Sequence, residues 1–177
     1  MIQLDPDMSF IQVAALSSAA VACAIDLRSR RIPNWLTIGA ALMGIAYHAV
    51  VGGWGGVQTA SAGWAVGLAI FFIPFALGGL GAGDVKLVAA LGAWLGPANV
   101  MWLGLYTGVV GGVLALIVAC SRGYLRQALR NIWLLLMFWR VSGVRPLPEL
   151  TIQEGRGPKL AYGLSIFVGT VVTIWLR

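Results

Sequence analysis

The sequence predicts an all-α membrane protein, a bundle of six transmembrane helices with its N-terminus outside. Of its 177 residues 59% are hydrophobic and only 10% are charged, against roughly 25% charged in an ordinary soluble domain. The mean hydropathy is +0.87, and Gly and Trp, both frequent in membrane helices, number 24 and 8. Six apolar runs read as helical spans, which require roughly 20 residues, the fourth of them short. That balance excludes a soluble globular protein, a disordered chain and a disulfide scaffold.

The first span runs from about Met8 to Ile25. The segment before it, Met1 to Asp7, is acidic, and no small-residue cleavage site follows, so the span is expected to remain uncleaved. Arg28, Arg30 and Arg31, then Ile32-Pro33-Asn34, lead into the second span, about Trp35 to Val51, because proline is pre-set for a first helical turn. Gly52-Gly53-Trp54-Gly55-Gly56 reads as a turn, and the third span, about Gly63 to Leu80, ends at Gly81-Ala82-Gly83-Asp84. The apolar sequence beyond is too long for one span. Gly96-Pro97 divides it into a short fourth helix, about Val85 to Leu95, and a fifth, about Asn99 to Cys120. Arg122, Arg126 and Arg130, four residues apart, share one face of a segment running to Trp139 that is expected to lie on the membrane surface. A polar loop, Arg140 to Pro158, precedes the last span, about Leu160 to Trp175.

The net charge of +6 comes from ten Arg and two Lys against six acids. In a soluble protein it would raise nucleic-acid binding; here no nucleic acid is expected, because basic residues gather at the cytoplasmic ends of membrane helices. With the N-terminus outside, 11 of the 12 basic residues face the cytoplasm and only Arg177 lies outside. The lipid bilayer is thus the first expected partner. Trp54, Trp64, Trp94, Trp102 and Trp175 fall near the outer ends of spans and Trp35, Trp133 and Trp139 near the inner ends, as two interfacial belts would require. Gly104, Gly108 and Gly112 recur every four residues, a face that lets helices pack closely. Residues 1–177 read as a single membrane-embedded domain.

Little of this chain can perform chemistry. Cys23 and Cys120 both lie in apolar runs and read as small packing residues, so neither a zinc site nor a Cys-x-x-C motif can be built. No metal and no cofactor is expected. His48 stands alone in the second span and reads as a packed or hydrogen-bonded residue. Four acids, Asp5, Asp7, Glu149 and Glu154, fall in water-facing segments, which leaves Asp26 and Asp84 beside apolar spans. A charge at the centre of a membrane helix costs about 2.5–3.5 kcal/mol, less toward the interface, so such residues point to function. Local roles compete: Asp26 pairing with Arg28, Arg30 or Arg31, and Asp84 capping a helix after Gly83. The topology brings both carboxylates to one membrane level, where two acids sharing one proton can serve as base and acid toward a water. That is the chemistry of an aspartyl protease. Gly81 and Gly83 are expected to shape a non-helical turn and let a substrate backbone approach Asp84.

These residues resemble the type IV prepilin peptidase family of GxGD membrane aspartyl proteases. Asp26-Leu27-Arg28-Ser29-Arg30-Arg31-Ile32-Pro33-Asn34 is similar to the family's first catalytic segment, and Gly81-Ala82-Gly83-Asp84-Val85-Lys86-Leu87 to its second. The resemblance implies that Asp26 and Asp84 form the catalytic dyad, with Lys86, Pro33 and Asn34 as neighbours of the substrate site. It implies an endopeptidase of the bacterial or archaeal cytoplasmic membrane. Its substrates would be prepilins or pseudopilins, with a basic leader and a hydrophobic helix, cut at the cytoplasmic face. The short form looks most like the peptidases of Flp or Tad-type pili. Larger members carry an N-terminal region with a cysteine tetrad and methylate the new N-terminus; neither that region nor those cysteines is present, so methylation is not expected. The family's C-terminal Pro/Tyr-Gly element is loosely matched by Pro158-Lys159-Leu160-Ala161-Tyr162-Gly163, which takes no role in this reading.

Two other classes compete. A proton or ion transporter would use intramembrane carboxylates, although transport sites lie near the midplane on discontinuous helices. A non-catalytic membrane subunit of a pilus or secretion assembly would need the aspartates only for capping or ion pairing.

Overall fold

The computed structural model describes residues 6–123, 125–142 and 161–176. They form five helices: α1 (Pro6–Ser29), α2 (Asn34–Ala76), α3 (Ala82–Ser121), α4 (Leu125–Ser142) and α5 (Tyr162–Leu176). The described residues contain no strand. α1, α2 and α3 are long and apolar enough to cross a membrane, and α5 is a shorter apolar helix.

α2 and α3, at 43 and 40 residues, would each measure about 60–65 Å if straight, twice a hydrocarbon core of about 30 Å. Neither is straight. α2 leaves helical geometry at Gly53 (φ 56°, ψ −141°) and α3 at Gly96 (φ 77°, ψ 173°), just before Pro97. Residues eight apart in a helix are about 12 Å apart, yet a Cβ on Gly56 would strike the His48 carbonyl, so α2 folds back on itself. α3 does the same, since Val100 Cγ2 would lie 3.1 Å from a Cβ on Gly92.

The result is a hairpin interleaved with a hairpin. The first arm of α3 runs beside the first arm of α2, with the Gly44 position against Ala93 and His48 Nε2 hydrogen-bonded at 3.1 Å to the Trp94 carbonyl. It runs against the second arm of α2 through Gly63, which meets Gly92, and Gly67, which meets Val88 and Ala89. These glycines permit backbone-to-backbone approach in a setting where dispersion, not the hydrophobic effect, holds helices together. α5 lies along the second arm of α3, with Gly169 against Thr107 and Tyr162 against Gly111. The first arm of α3 is enclosed on all sides: Val85, Leu87, Val88, Leu91 and Trp94 are buried in the main core, together with Val100, Leu103 and Ile166. A helix apolar around its whole circumference belongs at such a centre.

Large apolar side chains cover the outside. Leu42, Met43, Val50, Ile73, Met101, Leu105 and Val109 are exposed, a surface that suits lipid and not water. Buried hydroxyls find partners within their own helix, Thr170 bonding the Ile166 carbonyl and Thr173 the Gly169 carbonyl.

Several expectations change. The glycine-rich turn at 52–56 shrinks to Gly53 alone, and the helix beyond it begins about nine residues before Gly63 and stops at Ala76. The short fourth helix begins at Ala82, and the basic segment is helical over Leu125–Ser142. Trp94 is a core residue, 3% exposed, set edge-on to Phe10 and tilted against Tyr47 and not part of a belt, whereas Trp54 and Trp175 are largely exposed. Cys120 is exposed, so only Cys23 is a packing residue. The Gly104, Gly108 and Gly112 face is only partly an interface: Gly104 meets Ile70 and Phe71, while nothing approaches Gly108 or Gly112. The close contact falls one position away, at Gly111. Arg145, Glu149, Glu154, Arg156, Pro158 and Lys159 lie outside the described residues, as does the side chain of Trp139.

Candidate active site

Asp26 and Asp84 reach the same end of the bundle by different routes. Asp26 stands one turn before the end of α1, and Asp84 in the first turn of α3. Gly83, the residue before Asp84, packs against Ile32 just beyond the end of α1, so both aspartates lie at that end of the bundle. Asp26 is buried, with 7% of its surface exposed. Its Oδ2 accepts a 2.9 Å hydrogen bond from the backbone N–H of Gly163, which lies 137 residues along the chain in the first turn of α5. A buried carboxylate needs such a partner.

Asp84 is not the cap residue of α3. Gly81 occupies that position with extended backbone (φ −82°, ψ 148°), and Asp84 is three residues further on. Its Oδ2 accepts the Gly81 N–H at 3.1 Å, closing the first turn from inside the helix. A carboxylate there also faces the positive end of the helix dipole. Gly83 is already helical, and its missing side chain makes room for Ile32, whose Cβ would lie 3.1 Å from a Cβ at 83. The expected non-helical turn therefore takes in Gly81 and the residues before it, 77–80, where Gly78 has φ +78°, but not Gly83.

The remaining sequence candidates gather at the same end. Pro33 sits at the cap of α2, its carbonyl accepting the N–H groups of Leu36 and Thr37 at 3.2 and 3.4 Å. Asn34 follows, and its Oδ1 accepts a 2.9 Å hydrogen bond from Lys86 Nζ, tying the start of α2 to the start of α3. Thus Ile32 and Asn34 clamp the turn that carries Asp84. Arg28, Arg30 and Arg31 are exposed on the neighbouring surface.

Sequence reasoning missed the contribution of α5. Tyr162 packs its ring against Phe71, at a centroid distance of 6.4 Å, and against Gly111. Beside it opens an apolar groove of about 350 Å³, lined by Phe71, Pro74, Gly79, Leu80, Gly104 and Tyr162. The one signal available was the Tyr162-Gly163 pair opening the last apolar run. Among the described residues no three of His, Cys, Asp or Glu come together as metal ligands would.

Comparison with known proteins gives the family. The chain is 29% identical over 106 residues to the prepilin leader peptidase/N-methyltransferase of Neisseria gonorrhoeae, covering 56% of this chain and 37% of that protein. The chain therefore matches little more than a third of the length of that relative. No solved structure matches it. The model of the type IV leader peptidase family matches residues 13–116, a stretch that holds Asp26, the Ile32-Pro33-Asn34 segment and Asp84. By that match over more than half its length, the chain belongs to the type IV leader peptidase family.

Proposed function

We propose that this protein is a membrane aspartyl endopeptidase that removes the leader peptide from prepilins or pseudopilins at the cytoplasmic face of the cytoplasmic membrane. The observation that carries the proposal is the placement of Asp26 and Asp84, from separate helices, at one end of an apolar bundle, each with one carboxylate oxygen fixed by a backbone N–H. Family membership supplies the substrate class.

In this reading a water lies between the two carboxylates. One carboxylate takes its proton while the other, protonated, donates to the oxygen of the scissile carbonyl, and the water oxygen bonds to the carbonyl carbon. The tetrahedral intermediate then collapses: the C–N bond breaks, the amine leaves with the proton held by the first aspartate, and a hydroxyl proton of the intermediate returns to the second aspartate as the carbonyl re-forms, which restores the starting pair. The groove beside Tyr162 is apolar and adjoins the turn before Asp84, which suits a substrate whose cleavage point is followed by a hydrophobic helix. Six spans with the N-terminus outside remain part of this proposal, supported by the reversals at Gly53 and Gly96. So does the assignment of residues 1–177 as one peptidase unit.

The test is co-expression with an epitope-tagged Flp-type prepilin, followed by blotting for the shortened form. Wild type should process it, and Asp26→Asn and Asp84→Asn should each lower processing by roughly 10²–10⁴-fold at equal membrane levels. Normal processing by either variant would overturn the dyad. Proton flux lost in both variants, with no peptide cut by wild type, would favour a transporter. Pilus assembly intact in both variants would favour a non-catalytic subunit.

A further inference from the structure

α5 begins without a cap of its own. The first N–H groups of a helix have no partner in the helix, and a side chain at the cap position ordinarily accepts one of them. Ala161 precedes α5 and offers no such side chain. The Gly163 N–H, in the first turn, is instead taken up by Asp26 Oδ2 at 2.9 Å, from α1. Asp26 thereby caps a helix to which it does not belong, and that helix in turn fixes one of its two oxygens. The fit leaves no space. A Cβ on Gly163 would lie 2.9 Å from Asp26 Oδ2 and 3.0 Å from its Cβ, both closer than ordinary contacts. Asp84 is held in the matching way, through Oδ2, by the Gly81 N–H.

We infer that Gly163 is a positioning residue of the active site: its N–H sets the orientation of the Asp26 carboxylate toward Asp84, and its lack of a side chain lets α5 come close enough to do so. The inference rests on the peptidase reading above. It makes the start of α5 a third wall of the site, beside the end of α1 and the start of α3. An orientation error of a few tenths of an ångström at a catalytic carboxylate lowers turnover without altering how the substrate is held elsewhere.

The experiment is steady-state cleavage of a Flp-type prepilin by purified full-length protein in detergent, with thermal unfolding measured in parallel. Gly163→Ala is expected to lower kcat by at least tenfold while KM stays within twofold. Gly169→Ala is the control, since it crowds the same helix at least as heavily, against Thr107 and away from the dyad. It should lower thermal stability but keep kcat per folded molecule. Wild-type kcat in Gly163→Ala, or equal kcat losses in the two variants at equal folded fraction, would overturn the inference. If Gly163→Ala does not fold, Ala161→Asp decides. It supplies α5 with its own cap and competes with Asp26 for the Gly163 N–H, so kcat should fall severalfold with no loss of thermal stability. Unchanged kcat there would overturn the inference too. Failure of wild type to cut any prepilin would strike the peptidase reading itself, a separate outcome.

Discussion

Asp84 closes the first turn of its own helix with the same carboxylate that the proposed chemistry uses. The two roles separate by substitution. Asn keeps an oxygen that can accept the Gly81 N–H, so Asp84→Asn should retain the thermal midpoint of wild type while losing processing. Asp84→Ala removes the acceptor as well and should cost a further 0.5–2 kcal/mol or so, read from thermal unfolding in detergent. A second pair tests the clamp on this turn. Gly83→Ala puts a methyl against Ile32, 3.1 Å from its Cβ, and overpacking of this kind costs about 1–3 kcal/mol. Processing should drop severalfold and recover in part when Ile32→Ala is added. No recovery in the double variant would show that residue 83 acts on Asp84 by another route. The aspartates were legible in the sequence because a charge bordering an apolar span stands out against its surroundings. The Gly163 contact was not, since a backbone N–H is the same at every residue and only the fold decides which one meets Asp26.

At the scale of elements the two reversals divide the chain. Gly96 combines positive φ with ψ near 180°, a region essentially confined to glycine, and Gly53 also has positive φ. Gly96→Ala should therefore cost about 1–3 kcal/mol. Gly112→Ala, in a helical position that nothing approaches, should be neutral or stabilising by up to about 1 kcal/mol. Thermal unfolding of the two variants side by side checks the contrast; equal losses would mean that the reversal at 96 is not held by its backbone conformation. Gly96-Pro97 was readable as a break because proline lacks the N–H that a continuing helix uses. Gly53 was readable only as part of a five-residue cluster, because glycine in a membrane helix is as often a packing residue as a breaker. Gly56 is such a case: helical, and pressed against the His48 carbonyl of the preceding arm. The inward position of Trp94 was hidden for a related reason, since its partners Phe10 and Tyr47 come from two other segments.

For the whole molecule the lengths of the arms decide where the dyad lies. The first arm of α3, residues 82–95, is about 21 Å long, and α5, with 15 residues, about 22 Å. Both start at the dyad and end at the far side of the bundle, where Gly96 and Thr173 line one small cavity. The second arm of α3, residues 97–121, runs about 37 Å from that far side and so extends well past the dyad. If that far side marks one edge of a hydrocarbon core of about 30 Å, the dyad lies roughly 8 Å within the other edge, recessed from the basic surface of Arg28, Arg30 and Arg31. The proposed topology, which follows the charge bias, has that surface in the cytoplasm. In a variant with Cys23 and Cys120 replaced, Gly55→Cys, which sits just after the Gly53 reversal with nothing near it, should react with a membrane-impermeant maleimide in intact cells. Ser29→Cys, at the Asp26 end, should react only after the membrane is opened. The reverse pattern would invert the bundle and overturn the proposed cytoplasmic site. Labelling of both sites from outside would mean that the Gly53 reversal does not return the chain across the bilayer.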